Sequence, residues 1–165
     1  YSTLVDRKEK IMKIQGIEEN IYIELKLLNL KLEKSLFESF IPFELAINIR
    51  EEKYEFKKDL YMTFTQYEVL TLIKKLKRSL INFFGYRNFI DIFFNSSESY
   101  FDLNILYGGA FDEIEVEIWL NLASLTNGKI NGYNKGYRFV TDVEKIGKFT
   151  KALEKNYFLI LKEHI

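Results

Sequence analysis

Glu113-Ile114-Glu115-Val116-Glu117-Ile118-Trp119-Leu120-Asn121 is the stretch on which the fold turns. Ile114, Val116, Ile118, Leu120 and the following Leu122 fall on one side of a two-residue repeat. Glu113, Glu115, Glu117, Trp119 and Asn121 fall on the other. Successive strand side chains point to opposite faces, so this pattern predicts a strand with one face on a core.

The neighbours of that stretch extend it into a sheet. Tyr100–Tyr107 alternates in the same way, with Phe101, Leu103, Ile105 and Tyr107 on one side. Phe89–Phe94 reads as a further strand, and Ser96-Ser97 and Gly108-Gly109 mark turns. Three strands joined so closely predict an antiparallel meander. Downstream, Gly128, Gly132 and Gly136 mark a loop, and Tyr137–Val140 reads as a short strand. Thr141 and Glu144 then form a T-x-x-E signal, which predicts a helix over about 142–155 carrying Val143, Ile146, Phe149 and Leu153 on one face. The tail from Tyr157 to Ile165 fits either a strand or a continuation of that helix.

Upstream, Ile11–Leu30 predicts two strands with a turn at Gly16 and Glu18-Glu19-Asn20. Residues 31–41 connect. Pro42, the only proline, opens the next strand, in which Phe43, Leu45, Ile47 and Ile49 alternate with polar residues. Glu51-Glu52-Lys53 reads as a turn into a shorter strand at Tyr54 and Phe56. Thr65 and Glu68 make a capping box, so a helix follows over about 66–82. Its apolar stripe is Val69, Leu70, Ile73, Leu76, Leu80 and Ile81, and Gly85 is the expected stop. The whole predicts an α+β fold: a largely antiparallel sheet of hairpins and a meander, packed with two main helices. Leu45, Ile47, Leu70, Ile73, Leu103, Ile105, Val116, Ile118, Phe139 and Phe149 are the expected core.

The 165 residues fit a single domain, 1–165, with residues 1–11 read as an extension or a cloning remnant. The chain has no cysteine, which excludes disulfides, thiolate zinc sites and a thiol nucleophile. Its one histidine, His164, is next to the last residue, a poor place for a general base. Gly128–Gly136 is neither a phosphate loop nor a dinucleotide fingerprint, because it feeds a strand and lacks the Lys-Ser/Thr step. No apolar run approaches the ~20 residues that span a bilayer, and the first ten residues lack a signal peptide's apolar run. These features predict no catalytic residues, no cofactor, no metal, no membrane contact and a cytoplasmic protein.

Charge is more informative than motif. The 24 basic and 24 acidic residues cancel, so the basic excess of a general nucleic-acid binder is missing. Yet residues 88–128 contain no Lys or Arg, while they hold Asp91, Glu98, Asp102, Asp112, Glu113, Glu115 and Glu117. If the three strands are neighbours, the solvent side of the sheet is locally negative, and such a field selects a basic partner. The expected docking face carries Glu98, Asp102, Glu113, Glu115 and Glu117, with Tyr100 and Trp119 as aromatic anchors. The plainer readings are that the acids only solvate the sheet and that Trp119 packs under a helix or loop. Glu115 and Glu117, roughly 7 Å apart by strand geometry, also leave open a small hydrolase or transferase, and a non-enzymatic adaptor is a further alternative.

The order of these features resembles a known family. It runs from the hairpin at Pro42–Phe56 through Tyr61-Met62-Thr63-Phe64-Thr65-Gln66-Tyr67-Glu68-Val69-Leu70 to Glu98-Ser99-Tyr100-Phe101-Asp102-Leu103. It continues through Ile114–Asn121 to Gly136-Tyr137-Arg138-Phe139 and a terminal helix. Together, over about Met12–Leu153, these resemble the WapI-type immunity proteins of bacterial contact-dependent inhibition and polymorphic toxin systems. The resemblance implies a small cytosolic protein that binds and neutralises a cognate toxin domain. It implies no catalytic residues and supplies no residue-level site.

Overall fold

The computed structural model describes residues 11–29, 35, 38–57, 62–96, 100–126, 128 and 133–163. It contains two antiparallel sheets. The first is built from β1 (Ile11–Gln15), β2 (Ile21–Leu27), β3 (Phe40–Ile49), β4 (Glu52–Phe56) and β5 (Thr63–Thr65). Its strands run in the order β1-β2-β3-β4, and β5 pairs with β3. At ten residues, β3 is long enough to serve two partners besides β2: Phe40–Pro42 pair with β5, and Leu45–Ile49 pair with β4. Pro42 is therefore the third residue of β3 and not the first. Its carbonyl accepts from Leu28 N at 2.8 Å, so only the missing N–H is lost to the ladder.

The second sheet runs β6 (Ile92–Asn95), β7 (Phe101–Tyr107), β8 (Glu113–Asn121) and β9 (Asn134–Asp142) in sequence order. The meander expected from the alternation is therefore present, and β9 closes its far side. Where the sequence suggests a short strand at Tyr137–Val140, β9 has nine residues and takes in Gly136. Pairing along the whole of β8 holds these extra residues extended. Phe89 is buried but precedes β6, and Leu122 leaves the strand pattern to start the short helix α2 (Leu122–Leu125).

Helix α1 (Gln66–Tyr86) begins with the capping box: Thr65 Oγ1 accepts from Glu68 N, and Glu68 Oε1 accepts from Thr65 N at 2.8 Å. It ends one turn later than Gly85 suggests. Arg87 takes the left-handed position at φ 57°, and its N–H donates to Phe83 O at 2.7 Å. Burial of Phe83, with its ring edge-on to Tyr107, holds the extra turn in place. The buried stripe is also rotated. Leu72 and Phe83 join Val69, Ile73 and Leu76, whereas Leu70 and Leu80 are half-buried and Ile81 is 71% exposed.

Helix α3 (Val143–Lys162) carries the tail on as helix as far as Lys162, with Tyr157 and Ile160 buried. Its N-cap is Asp142, which accepts from Lys145 N at 2.9 Å, and not Thr141. Thr141 is fully buried at the end of β9, and its hydroxyl donates to Gln15 O at 2.5 Å. That bond and the one from Ile17 N to Val140 O tie the first sheet to the second.

The buried apolar side chains of both sheets and the helices form one cluster. Aromatic rings join the sheets at its middle: Phe43 of β3 stacks on Phe64 of β5 with centroids 3.9 Å apart, and both meet Phe101 of β7 edge-on. Of the ten expected core residues, nine are buried and Leu70 is half-buried. His164, the first ten residues and Gly132 lie outside the described residues.

Candidate partner-binding face

The inner face of the second sheet is apolar, so its outer face is fixed by register. On β8, Glu113, Glu115, Glu117, Trp119 and Asn121 alternate with buried residues and point outward. Asp102 lies opposite Trp119, Asn104 opposite Glu117, and Leu106 opposite Glu115. On the other flank, Gly136 lies opposite Trp119, Arg138 opposite Glu117, and Val140 opposite Glu115. Phe93 of β6 extends the Asn104 row. None of these side chains is buried.

Glu117 is the hub. Its Oε2 accepts from Arg138 Nη2 at 2.7 Å, and its Oε1 accepts from Trp119 Nε1 at 2.8 Å and from Asn104 Nδ2 at 3.1 Å. The Arg138 bond, then those from Trp119 and Asn104, hold this carboxyl below the ordinary glutamate range. Hydrogen bonds to the charged form have that effect.

Trp119 is 45% exposed, so it lies on the surface and not under a helix or loop. It is nonetheless fixed. Its ring covers Gly136, where an added methyl group would overlap the six-membered ring. Its N–H is held by Glu117. Glycine here is required by the close approach of an aromatic ring. The result is a large rigid surface with one side on β9 and part of the other in water.

The remaining expected residues separate. Asp102 is exposed, and Asn95, its partner in the ladder, donates to it at 2.9 Å once its amide is oriented to do so. Glu115 is half-buried and Glu113 exposed. Neither has an ion-pair partner within 4 Å among the described residues. Tyr100 precedes β7, and its ring packs edge-on against Phe43, so it faces the core and not the partner face. Glu98 lies outside the described residues.

Two parts of the face escaped the sequence reading. Arg138 enters the acidic field from β9, which the base-free interval 88–128 does not cover. Gly136 stands under Trp119 instead of in a loop. The signal for both is the β8–β9 register, which an alternation pattern does not contain. Phe93 and Val140 add exposed apolar surface beside the acids.

In class, the chain is an α+β protein whose second antiparallel sheet keeps an open outer face set with a fixed tryptophan and carboxylates. The model of the immunity protein WapI-like family matches residues 13–157, and the chain belongs to that family. A comparison with curated proteins finds no match. Membership carries an immunity function against a toxin. Among the described residues, no helix is long and apolar enough to cross a membrane, and no group of three His, Cys, Asp or Glu side chains is placed to hold a metal ion.

Proposed function

We propose that this protein binds a cognate bacterial toxin domain in the cytoplasm and neutralises it by covering a basic functional surface with the outer face of the second sheet. The observation that carries the reading is the Trp119 platform, held by Gly136 and Glu117, with Asp102 opposite it and Glu115 further along the same face. A fixed aromatic gives up little entropy on binding, and Trp dominates interface hot spots. The carboxylates of Asp102, opposite Trp119, and of Glu115, two rows along the same face, favour a basic partner. The absence of cysteine from the chain suits a reducing compartment.

The hydrolase or transferase alternative asks Glu115 or Glu117 to exchange a proton near neutral pH. Glu117 is instead held ionised by Arg138, the opposite of the raised pKa that suits a general acid.

Co-expression with the toxin domain encoded beside this gene tests the proposal. The expected result is a stable complex and restored growth. Trp119 is the only tryptophan of the chain, so its fluorescence reports on the face directly. With a tryptophan-free toxin domain, binding should shield it from acrylamide, and Trp119→Ala or Gly136→Ala should speed dissociation. A tight complex with Trp119 still fully accessible to quencher moves the interface elsewhere. No complex and no protection sinks the toxin-binding reading itself.

A further inference from the structure

A second surface, on the helices, has the opposite character. Residues 69–90 contain no Asp or Glu but hold Lys74, Lys75, Lys77, Arg78 and Arg87. Glu68 is thus the only acid of α1, and it is occupied by the capping box. Beside this acid-free run lies an open groove of about 550 Å³ between α1 and α3. Its apolar lining is Leu80, Ile81, Phe84 and Val143, with Gly147 opposite. Ile81 and Phe84 are each 71% exposed, and Tyr86 nearby is 81% exposed. A helix of this fold ordinarily turns such side chains inward.

Gly147 adds a separate observation. It sits inside a 20-residue helix, where glycine costs roughly 1 kcal/mol relative to alanine. A methyl group there would meet nothing within 4 Å, so packing among the described residues does not require glycine. Glycine at the wall of an apolar groove instead leaves room for another chain to approach closely.

The rim charges choose the occupant. Glu154 is taken by Lys77 at 2.8 Å, and Glu144 by Lys148 at 3.6 Å. Lys151, which lines the groove, and Lys74 and Arg78, which line the adjoining hollow past Lys77 and Ile81, have no carboxylate partner among the described residues. The groove is therefore apolar along its floor, with one cation, Lys151, left over on its α3 edge and two more, Lys74 and Arg78, just past its α1 edge. We infer that the α1–α3 groove is a second docking site, which takes an amphipathic helix with an acidic flank from a partner protein. Apolar residues at i, i+3, i+4 and i+7 would enter beside Ile81, Phe84 and Gly147, the helix-in-groove mode. Carboxylates on its flanks would meet Lys74, Arg78 and Lys151.

A synthetic peptide tests this without knowledge of the natural partner. It should span about five helical turns, with Leu and Phe on one face and Glu along both flanks. The full chain, labelled with ¹⁵N, is titrated with it and with a counterpart carrying Lys for Glu. The expected result is a saturable shift of the Gly147 amide for the acidic peptide alone, weakening as salt rises. Gly147→Gln should fill the groove and weaken binding at least about tenfold, while helix content holds or rises. The double reversal Arg78→Glu and Lys151→Glu should do the same without touching the groove floor. Equal binding of the basic peptide, or no saturable shift, overturns the inference. Tighter binding of a thymidine oligonucleotide than of the acidic peptide also overturns it, since the face would then be reading phosphates.

Discussion

At the scale of single residues, Glu117 and Asn156 show what burial and partners do to a polar group. Glu117 gathers three donors on an exposed face, which lowers its proton affinity in the folded state. A carboxyl depressed by folding contributes stability above its unfolded value and loses it as pH falls through the folded one. The Trp119 fluorescence should therefore change in a titration centred below the ordinary glutamate value of 4.5, and Glu117→Gln should abolish that transition. A midpoint at or above the ordinary value would show that the network does not hold in solution. Asn156 is the converse. It is fully buried in α3, and neither its amide nitrogen nor its oxygen has a hydrogen-bond partner among the described residues. An orphaned buried amide costs about 1–3 kcal/mol, so Asn156→Leu should raise the denaturation midpoint by roughly 1 kcal/mol equivalent. A loss of stability would mean that the amide is satisfied. Neither feature is legible in the sequence. Asn156 breaks no pattern there, because its burial depends on how far α3 runs and which side faces β1.

At the scale of elements, alternation and capping were the legible signals, and both failed where tertiary contact decided the detail. The Thr65–Glu68 box reads correctly because nothing competes for Thr65. The Thr141–Glu144 box misreads because the Thr141 hydroxyl is drawn away to Gln15 O, and Asp142 does the capping one residue later. The two residues should separate on substitution. Asp142→Ala should cost about 1 kcal/mol through the lost cap and fray the first turn of α3. Thr141→Val should leave helix content unchanged, yet speed amide exchange at Ile17, whose N–H bonds to Val140 O beside it. If Thr141→Val melts the helix start, the threonine is the cap after all. The same competition explains the stripe of α1. A period of 3.6 residues fixes that one side is apolar, but not which of Leu72 and Ile81 faces the sheets. Ile81 stays in water, and Leu72 is buried.

At the scale of the whole molecule, a chain of zero net charge is divided into two fields. The base-free interval 88–128 builds most of the second sheet, and the acid-free run 69–90 builds α1 and its exit. The sequence shows this division but overstates its acidic half, because β9 folds back and places Arg138 on Glu117. Charge reversal at Glu117 would therefore disturb the Trp119 platform as well as the field, and it is the wrong probe of steering. Asp102 and Glu115 lie on the same face in the rows on either side of the Glu117 row, and neither has a cationic ion-pair partner within 4 Å among the described residues. Converting both to Lys changes the field by four charges and leaves the tryptophan's hydrogen bond alone. Exposed charges act over about 10 Å at 0.1 M salt and over roughly 30 Å at 0.01 M, so their influence is on encounter more than on the bound state. The double variant should keep its thermal midpoint, slow association with the toxin domain most at low salt, and converge toward the parent as salt rises. Dissociation, set by the buried aromatic contact, should change less. Stopped-flow association at several ionic strengths measures this. An association rate unchanged at low salt would mean that the toxin approaches by another surface, whatever the affinity of the final complex.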